Sequence, residues 1–465
     1  MKHFDVTIIG GGPGGYIAAI RASQLGLNTA LVEREHLGGV CLNWGCIPMK
    51  ALLRSAEVFN HIKRAASFGL SVDGLDFDLK KIVRRSRDIS QQLNQGVGRL
   101  LEKNHVAVID GYARLRGKGQ VSVEKKGITR EQLSSHHIII ATGARAKVLP
   151  GLEPDGKMVL TYKEALVPDS LPKSLLVVGS GAIGMEFASF YHTFGARVTV
   201  VEMLPQILPF EDAEVSETVR KSMEKQGMDF YTGARLKELR RGNKSVATVI
   251  EKDGKDLEVI VDRVISAVGV SPNVEGIGLE DVGINLDKNG FIAVDEYSRT
   301  SIEGIYAIGD VCGGPCLAHK ASREGIICVE KIAAKTGVSP LDKSQIPGCI
   351  YSNPQVSRVG LTEMQARDRG YKIKVGRFPF AGNGKAIALG EPQGLVKTIF
   401  DAQTGELLGA HMVGHEVTEL IHGFGLARYL EATEEELMHT VFPHPTLSEM
   451  MQESVLNAFG RTLHF

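Results

Sequence analysis

Two cysteines, Cys41 and Cys46, flank the only tryptophan of the chain, Trp44, in the stretch GGVCLNWGCIPMKAL (38–52). A cysteine can serve as a nucleophilic thiolate, as a metal ligand or as half of a disulfide. On a regular helix, five residues rise roughly 7.5 Å and hold the two Cα atoms about 8–9 Å apart. A disulfide needs roughly 4.4–6.8 Å. If the two sulfurs meet, the segment must be distorted, and Gly45 and Pro48 supply the means. A bond closing so short a loop would be reducible rather than stabilising. Two buried free thiols or half of a zinc site are the alternatives that spacing leaves open. Of the other four cysteines, Cys312, Cys316, Cys328 and Cys349, only the CGGPC pair has ligand-like spacing, so no metal site is expected.

A second reactive stretch is FPHPTLSEM (442–450). An imidazole at His444 titrates in the range needed to take a proton from a thiol. Glu449 would orient that ring as the third member of a Cys–His–carboxylate arrangement. Thr446 and Glu449 also fit a capping box, which would make His444 a surface histidine. The spacing supports both readings.

Groups of this kind need a rigid frame, and the first thirty-odd residues describe one. FDVTIIG (4–10) reads as a strand, GGGPGG (10–15) as a G-x-G-x-x-G turn, YIAAIRASQLG (16–26) as a helix and NTALVE (28–33) as a second strand. Gly10 makes the tight turn, Gly12 admits a pyrophosphate to the backbone, and Gly15 lets the helix pack on the strand. Glu33 stands where an acid accepts both ribose hydroxyls of an adenosine. The pattern returns at LLVVGSGAIGMEFASFYHTFGARVTVVEM (175–203), where Gly179, Gly181, Gly184, Gly195 and Glu202 repeat Gly10, Gly12, Gly15, Gly26 and Glu33 in register. A single glycine turn says little. Two copies in register, each with its acid, predict two dinucleotide sites.

HHIIIATGA (136–144) and DRVISAVGV (262–270) each close on an alanine–x–glycine turn, at Thr142–Gly143 and at Gly269. GIYAIGD (304–310) is a further strand, and a carboxylate such as Asp310 at its C-terminal end would face the ligand side of the sheet. The last 120 or so residues carry no glycine fingerprint and read as a separate α+β domain. Strands surround a D-A-Q-T-G turn there, and amphipathic helices follow. Thr433 with Glu436 reads as a capping box.

At 465 residues the chain exceeds what one core sustains, so two to four domains are expected. Lys plus Arg and Asp plus Glu number 54 each, which gives no field for nucleic acid or an anionic membrane. No apolar run reaches the roughly 18 residues of a membrane span, and no signal peptide is read at the start. The expected compartment is the reducing cytosol, or an organelle matrix, where a close cysteine pair points to catalysis.

With both nucleotide motifs, C-x₄-C and H-P-x₃-E in this order, the chain resembles the flavin disulfide reductases along essentially its whole length. The resemblance rests on GGVCLNWGCIPMKALL, ATGA, VVGSGAIGMEFAS, VTVVEMLPQILP, YAIGDVCGGPCLAHKA, NPQVSRVGLTE and HPTLSE. It implies an α/β fold of two Rossmann-like domains, with the NAD domain (149–270) inserted into an FAD-binding domain (1–148 and, as its central part, 271–345). A C-terminal α+β dimerisation domain (346–465) would follow. FAD would lie against Gly10, Gly12, Gly15, Glu33, Thr142, Gly143, Asp310 and Ala318, and NAD against Gly179, Gly181, Gly184, Glu202 and Gly269.

In such an enzyme Cys46 would face the flavin as a thiolate and Cys41 would exchange with substrate. Lys50 would sit by the flavin and pair with Glu186. His444 and Glu449 would come from the second subunit of a homodimer. The implied reaction oxidises protein-bound dihydrolipoyl groups to the cyclic disulfide and passes hydride to NAD⁺. The implied partner is the lipoyl-carrier domain of a 2-oxo acid dehydrogenase or glycine cleavage type complex. Glutathione and mercuric reductases are the rivals within the family, and a non-catalytic nucleotide-sensing subunit is the rival outside it. Glu202 stands where glutathione reductases place arginines, and the ending NAFGRTLHF has no mercuric-reductase cysteine pair. Trp44, Met49, Cys316 and Phe442 depart from the family pattern around the disulfide and bear on the identity of the carrier.

Overall fold

The apolar runs expected to be strands are strands, and the two glycine turns join each to a helix. In the first copy β1 (Lys2–Ile9), α1 (Pro13–Gln24) and β2 (Thr29–Glu33) follow in that order. The computed structural model describes residues 1–464. It divides the chain into two units, the first made of Met1–Leu52, Phe77–Lys147 and Gly269–Leu341. The second comprises 53–76, 148–268 and the chain from Asp342 onward.

The first unit continues through α2 (Gly39–Trp44), the start of α3 (Cys46–Lys63), α4 (Leu79–Lys103), β3 (Ala107–Asp110) and β4 (Ile128–Ile140). Its sheet runs β3–β2–β1–β4 in parallel, and Ile305–Ala307 pairs in parallel with the end of β4. An antiparallel hairpin, Tyr112–Gly117 with Gln120–Lys125, extends the start of β4. Both faces are covered: Ala30, Val32, Ile138 and Ile140 pack into one core, while Val6, Ile8, Leu31 and Ile139 pack into the other. Successive side chains point to opposite faces, so strands buried on both sides read as unbroken apolar runs.

On one face α1 lies against the helix Ala318–Ile332 at a distance only glycine allows. A Cβ on Gly325 would come within 2.8 Å of the Gly14 carbonyl oxygen. Arg21 and Glu330 clamp the same pair of helices, with Nη2 to Oε1 at 2.6 Å.

In the second unit β5 (Ser174–Val178), α5 (Ala182–Thr193) and β6 (Arg197–Val201) repeat β1, α1 and β2, and α6 (Ala213–Gln226) follows. Here the parallel sheet runs Asp229–Tyr231, β6, β5, Arg263–Ser266, Val159–Leu160. Beyond Asp342 an antiparallel sheet forms from β7 (Gly348–Ile350), β8 (Gln355–Gly360), β9 (Ile373–Pro379), β10 (Leu395–Asp401) and β11 (Leu407–Gly414), in the order β7–β8–β11–β10–β9. The D-A-Q-T-G turn joins β10 to β11 as expected, and α7 (Val417–Tyr429) and α8 (Glu449–Ala458) pack on this sheet. The Thr433–Glu436 capping box is present.

Candidate active site

The two glycine turns match in atomic detail. Gly10 and Gly179 adopt φ of 106° and 99°, conformations that L side chains rarely reach. A Cβ on Gly15 would fall 1.8 Å from the Gly10 oxygen, and one on Gly184 would fall 2.0 Å from the Gly179 oxygen. Only glycine permits either crossing. Gly12 and Gly181 are the N-caps of α1 and α5, and neither helix has a side-chain cap there. Two long helices thus offer first-turn N–H groups and partial positive charge at the C-terminal ends of parallel strands.

The acids are held alike. Gly11 N donates to Glu33 Oε2 at 2.7 Å and Glu35 N to Oε1 at 2.7 Å. At the second turn Ser180 N donates to Glu202 Oε2 at 2.9 Å and Leu204 N to Oε1 at 2.9 Å. Backbone bonds fix each carboxylate at its strand end, where a ribose would be read. Open backbone at Gly12 and Gly181 and a fixed acid beyond each fit an adenine dinucleotide at both turns.

Gly45 breaks the helix between the two cysteines. It ends α2 at φ −147°, ψ −115°, and α3 begins at Cys46. A Cβ at Gly45 would press within 3.0 Å of the Val40 carbonyl oxygen. This interruption, sharper than a bent helix, brings the Cys41 and Cys46 side chains into hydrogen-bond contact. That bond with Cys46, then burial, then the charge of Cys46 push the Cys41 thiol well above its ordinary range, while Lys50 pulls it down. These causes disfavour a thiolate at Cys41 in the reduced pair. The Cys46 sulfur stands at the N-terminus of an 18-residue helix, which favours negative charge there. Cys316 of the CGGPC stretch is likewise pushed up, to about 11, chiefly by burial of its thiol.

Asp310 falls in a 3₁₀ turn (Gly309–Cys312) just past the strand Ile305–Ala307, rather than on the strand itself. Burial raises its carboxyl, with Lys320 opposing and Glu324 reinforcing the shift. Sequence reasoning missed this support. The buried Lys320 ammonium donates to the Gly309 and Gly313 carbonyls and pairs with Glu324 at 3.0 Å, and Gly309 N donates to Glu324 Oε2. The i, i+4 spacing of Lys320 and Glu324 on the helix that Ala318 opens was its available signal. Thr142 Oγ1 donates to the Asn273 carbonyl, and Asn273 Nδ2 donates back to the Thr142 carbonyl. Gly143, at φ 68°, and Gly269, at φ 104°, each turn the chain after a sheet strand.

In the second unit His444 Nδ1 lies 2.9 Å from Glu449 Oε1, and Thr446 N donates to Glu449 Oε2 at 2.8 Å. The two sequence readings are therefore both partly realised. The carboxylate caps the backbone of Thr446, but the Thr446 hydroxyl donates to Pro443 instead of closing a capping box. Burial raises the Glu449 carboxyl, yet the Thr446 and His444 hydrogen bonds outweigh it and hold it below its ordinary value. With Nδ1 anchored, His444 presents Nε2 from a side chain that is 80% exposed. Glu186, buried on α5, accepts from Tyr351 N at 3.0 Å.

The chain belongs to the pyridine nucleotide-disulphide oxidoreductase family, whose model matches residues 4–325, and residues 346–455 match the dimerisation domain of that family. A protein of Rhizobium etli named dihydrolipoyl dehydrogenase is 57% identical over 479 residues, with all of this chain and 99% of that protein covered. Another of that name from Zymomonas mobilis is 56% identical over all of this chain and 99% of its own length. Among solved structures, LpdA of Mycobacterium tuberculosis superposes with a TM-score of 0.90 at 28% identity, covering 98% of this chain and 99% of that one. The HOCl-induced flavoprotein disulfide reductase RclA of Escherichia coli gives a TM-score of 0.85 at 26% identity over 97% and 99%.

Proposed function

We propose that this protein is a dihydrolipoyl dehydrogenase, which oxidises protein-bound dihydrolipoyl groups with NAD⁺ through FAD and the Cys41–Cys46 pair. The observation that carries the reading is the contact between the two cysteine side chains at the Gly45 break, in a chain with two matched nucleotide turns. FAD is assigned to Gly10, Gly12, Gly15, Glu33, Thr142, Gly143, Asp310 and Ala318. NAD is assigned to Gly179, Gly181, Gly184, Glu202 and Gly269.

The cycle begins with the Cys41–Cys46 disulfide. Neutral His444 takes the proton of one dihydrolipoyl thiol at Nε2, and Glu449 holds the opposite ring nitrogen and balances the imidazolium charge. The substrate sulfur attacks Cys41 Sγ; a mixed disulfide forms, the Cys41–Cys46 bond breaks, and Cys46 leaves as a thiolate. The second substrate thiol attacks the first substrate sulfur while its proton passes to the departing Cys41; the product leaves as a cyclic disulfide, and the first proton remains on His444. The pair now carries two electrons, with the proton on Cys41 and the charge on Cys46. Bound FAD supplies the two-electron chemistry that restores the disulfide and delivers hydride to NAD⁺.

The matched dimerisation domain and the exposed His444 ring support a homodimer in which the partner subunit's His444 serves each cysteine pair. A lipoyl-carrier domain of a 2-oxo acid dehydrogenase or glycine cleavage type complex is the proposed partner. The cytoplasm is the proposed compartment, and no described helix is long and apolar enough to cross a membrane. The test is NAD⁺ reduction by dihydrolipoamide and by isolated lipoyl domains. Cys41→Ser and Cys46→Ser should each abolish turnover while the protein keeps its FAD. Turnover that survives either substitution would refute the reading.

A further inference from the structure

The first residues of β1 lie at the opposite end of that strand from the Gly10 turn and take no part in the proposed reaction. His3 and Asp5, two apart, project from the same face of β1. Register sets His3 against Ser134 of the parallel neighbour β4, and the pairs Phe4–Ser135 and Val6–His137 set His136 beside Asp5. Two imidazoles and one carboxylate thus share a patch of sheet surface. One donor atom from each lies within 4.8 Å of the other two.

We propose that His3, Asp5 and His136 form a binding site for a divalent late-transition ion of the zinc type. His136 Nδ1 stands 3.5 Å from Asp5 Oδ1. A charge-assisted hydrogen bond would draw them to roughly 2.7–2.9 Å. The observed gap is instead close to the edge of a tetrahedral zinc site, whose roughly 2.0–2.1 Å bonds set ligands about 3.3–3.4 Å apart. The rings of His3 and His136 meet edge to face, with centroids 4.7 Å apart and planes at 75°.

The atoms behind two of the three donors, His3 and Asp5, already have partners. Ser134 Oγ lies 3.1 Å from His3 Nδ1, Asn28 N donates to Asp5 Oδ2 at 2.8 Å, and Asn28 Nδ2 donates to the His3 carbonyl at 3.0 Å. Outer contacts of this kind fix the tautomer and direction of metal ligands. They leave Asp5 Oδ1 facing His136 Nδ1. Imidazole donors favour zinc, nickel and cobalt over calcium or magnesium, which seek oxygen cages. Three protein ligands on an exposed patch at the end of β1 leave the remaining position to water. A bound ion would tie the start of β1 to β4.

The experiment titrates Zn²⁺ into the oxidised, FAD-loaded full chain against a chromogenic chelator, so that the Cys41–Cys46 thiols are not available as ligands. One equivalent should bind, and the thermal midpoint should rise with Zn²⁺ because the ion favours the folded state. His3→Gln and His136→Gln should each weaken binding at least tenfold, and Ser134→Ala by about tenfold, the usual cost of losing an outer-shell partner. Co²⁺ bound in place of Zn²⁺ should show the intense visible bands of a four-coordinate ion, and the His3→Gln variant should lack them. Metal-free turnover with dihydrolipoamide should match the parent in all three variants. Stoichiometric Zn²⁺ binding that survives the double His3→Gln, His136→Gln substitution, or no binding below millimolar Zn²⁺, would overturn the assignment.

Discussion

Arg87 lies over Trp44, its guanidinium carbon 4.4 Å from the ring centroid, and its Nη1 donates to the Asn43 carbonyl at 2.6 Å. Both contacts grip the last turn of α2, one residue before the Gly45 break. Asn43 Nδ2 secures the same turn through the Leu37 and Gly39 carbonyls. A cation over an aromatic ring contributes roughly 0.5–2 kcal/mol. Arg87→Met should loosen the turn and speed alkylation of reduced Cys41 by about 2–30-fold, the range that energy spans. Since Trp44 is the only tryptophan, its emission should change with the substitution. Unaltered alkylation and emission would show that Arg87 does not position the pair.

Glu202 should separate the two nicotinamide cofactors if the proposed NAD site is correct. Ser180 and Leu204 hold its carboxylate in place, so a 2′-phosphate would meet a fixed negative charge. NADH should be preferred over NADPH in catalytic efficiency. Glu202→Ala should cost about 10–150-fold with NADH, the worth of a charged hydrogen bond, and should narrow the preference. Comparable efficiencies with both cofactors in the parent protein would refute this reading.

His444 should matter to one half-reaction far more than to the other. On the proposed reading His444→Gln removes the proton acceptor for the dihydrolipoyl thiol, and it should slow enzyme reduction by dihydrolipoamide about 10²–10⁴-fold. Reduction by NADH needs no such transfer and should change little. Stopped-flow measurement of both halves decides the matter, since equal losses would mean that His444 only supports the fold.

The duplicated nucleotide frame was legible because its chemistry is local. Gly10 and Gly15 touch through backbone atoms five residues apart, and Gly179 and Gly184 repeat that contact, so spacing alone encodes them. The C-terminal hairpin was legible for the same reason. The Gly45 break was foreseen as distortion, but its form depends on Val40 and on tertiary support from Arg87. Lys320 behind Asp310 looked like an ordinary helix lysine, because its burial comes from chain segments folded over it. His3, Asp5 and His136 escaped notice because strand register, not sequence distance, brings them together.

His411 on β11 should make the second unit sensitive to acid. The ring is fully buried, with Nε2 2.8 Å from the Leu361 carbonyl oxygen, and Nδ1 has no hydrogen-bond partner among the described residues. Burial pushes it down to about 4, with the Leu361 hydrogen bond and Asp212 opposing and Lys397 and Arg358 reinforcing the shift. A histidine whose folded value is depressed is bound neutral. Its contribution is complete above the unfolded value of roughly 6.5 and is lost as pH falls through the folded value, at most about 3 kcal/mol. Glu211 acts in the opposite sense. Burial pushes it up to about 6 against the pull of Arg358, so acidification from pH 6 toward its unfolded value returns about 2 kcal/mol. Asp212 and Glu363, both held low against burial by Lys397 and other hydrogen bonds, add further losses below the ordinary carboxylate range. Stability should therefore fall only gently between pH 6.5 and 4.5 and steeply below. His411→Gln, which keeps a donor for the Leu361 carbonyl, should leave the Glu211 gain unopposed and turn the gentle fall into a rise of about 2 kcal/mol between pH 6 and 4.5, and Glu211→Gln should steepen the fall over the same range. Hydrogen exchange of the β11 amides, corrected for intrinsic rates, measures the opening free energy at each pH. Profiles for parent and His411→Gln that run parallel from pH 7 to 4 would show that the buried ring does not control this acid response.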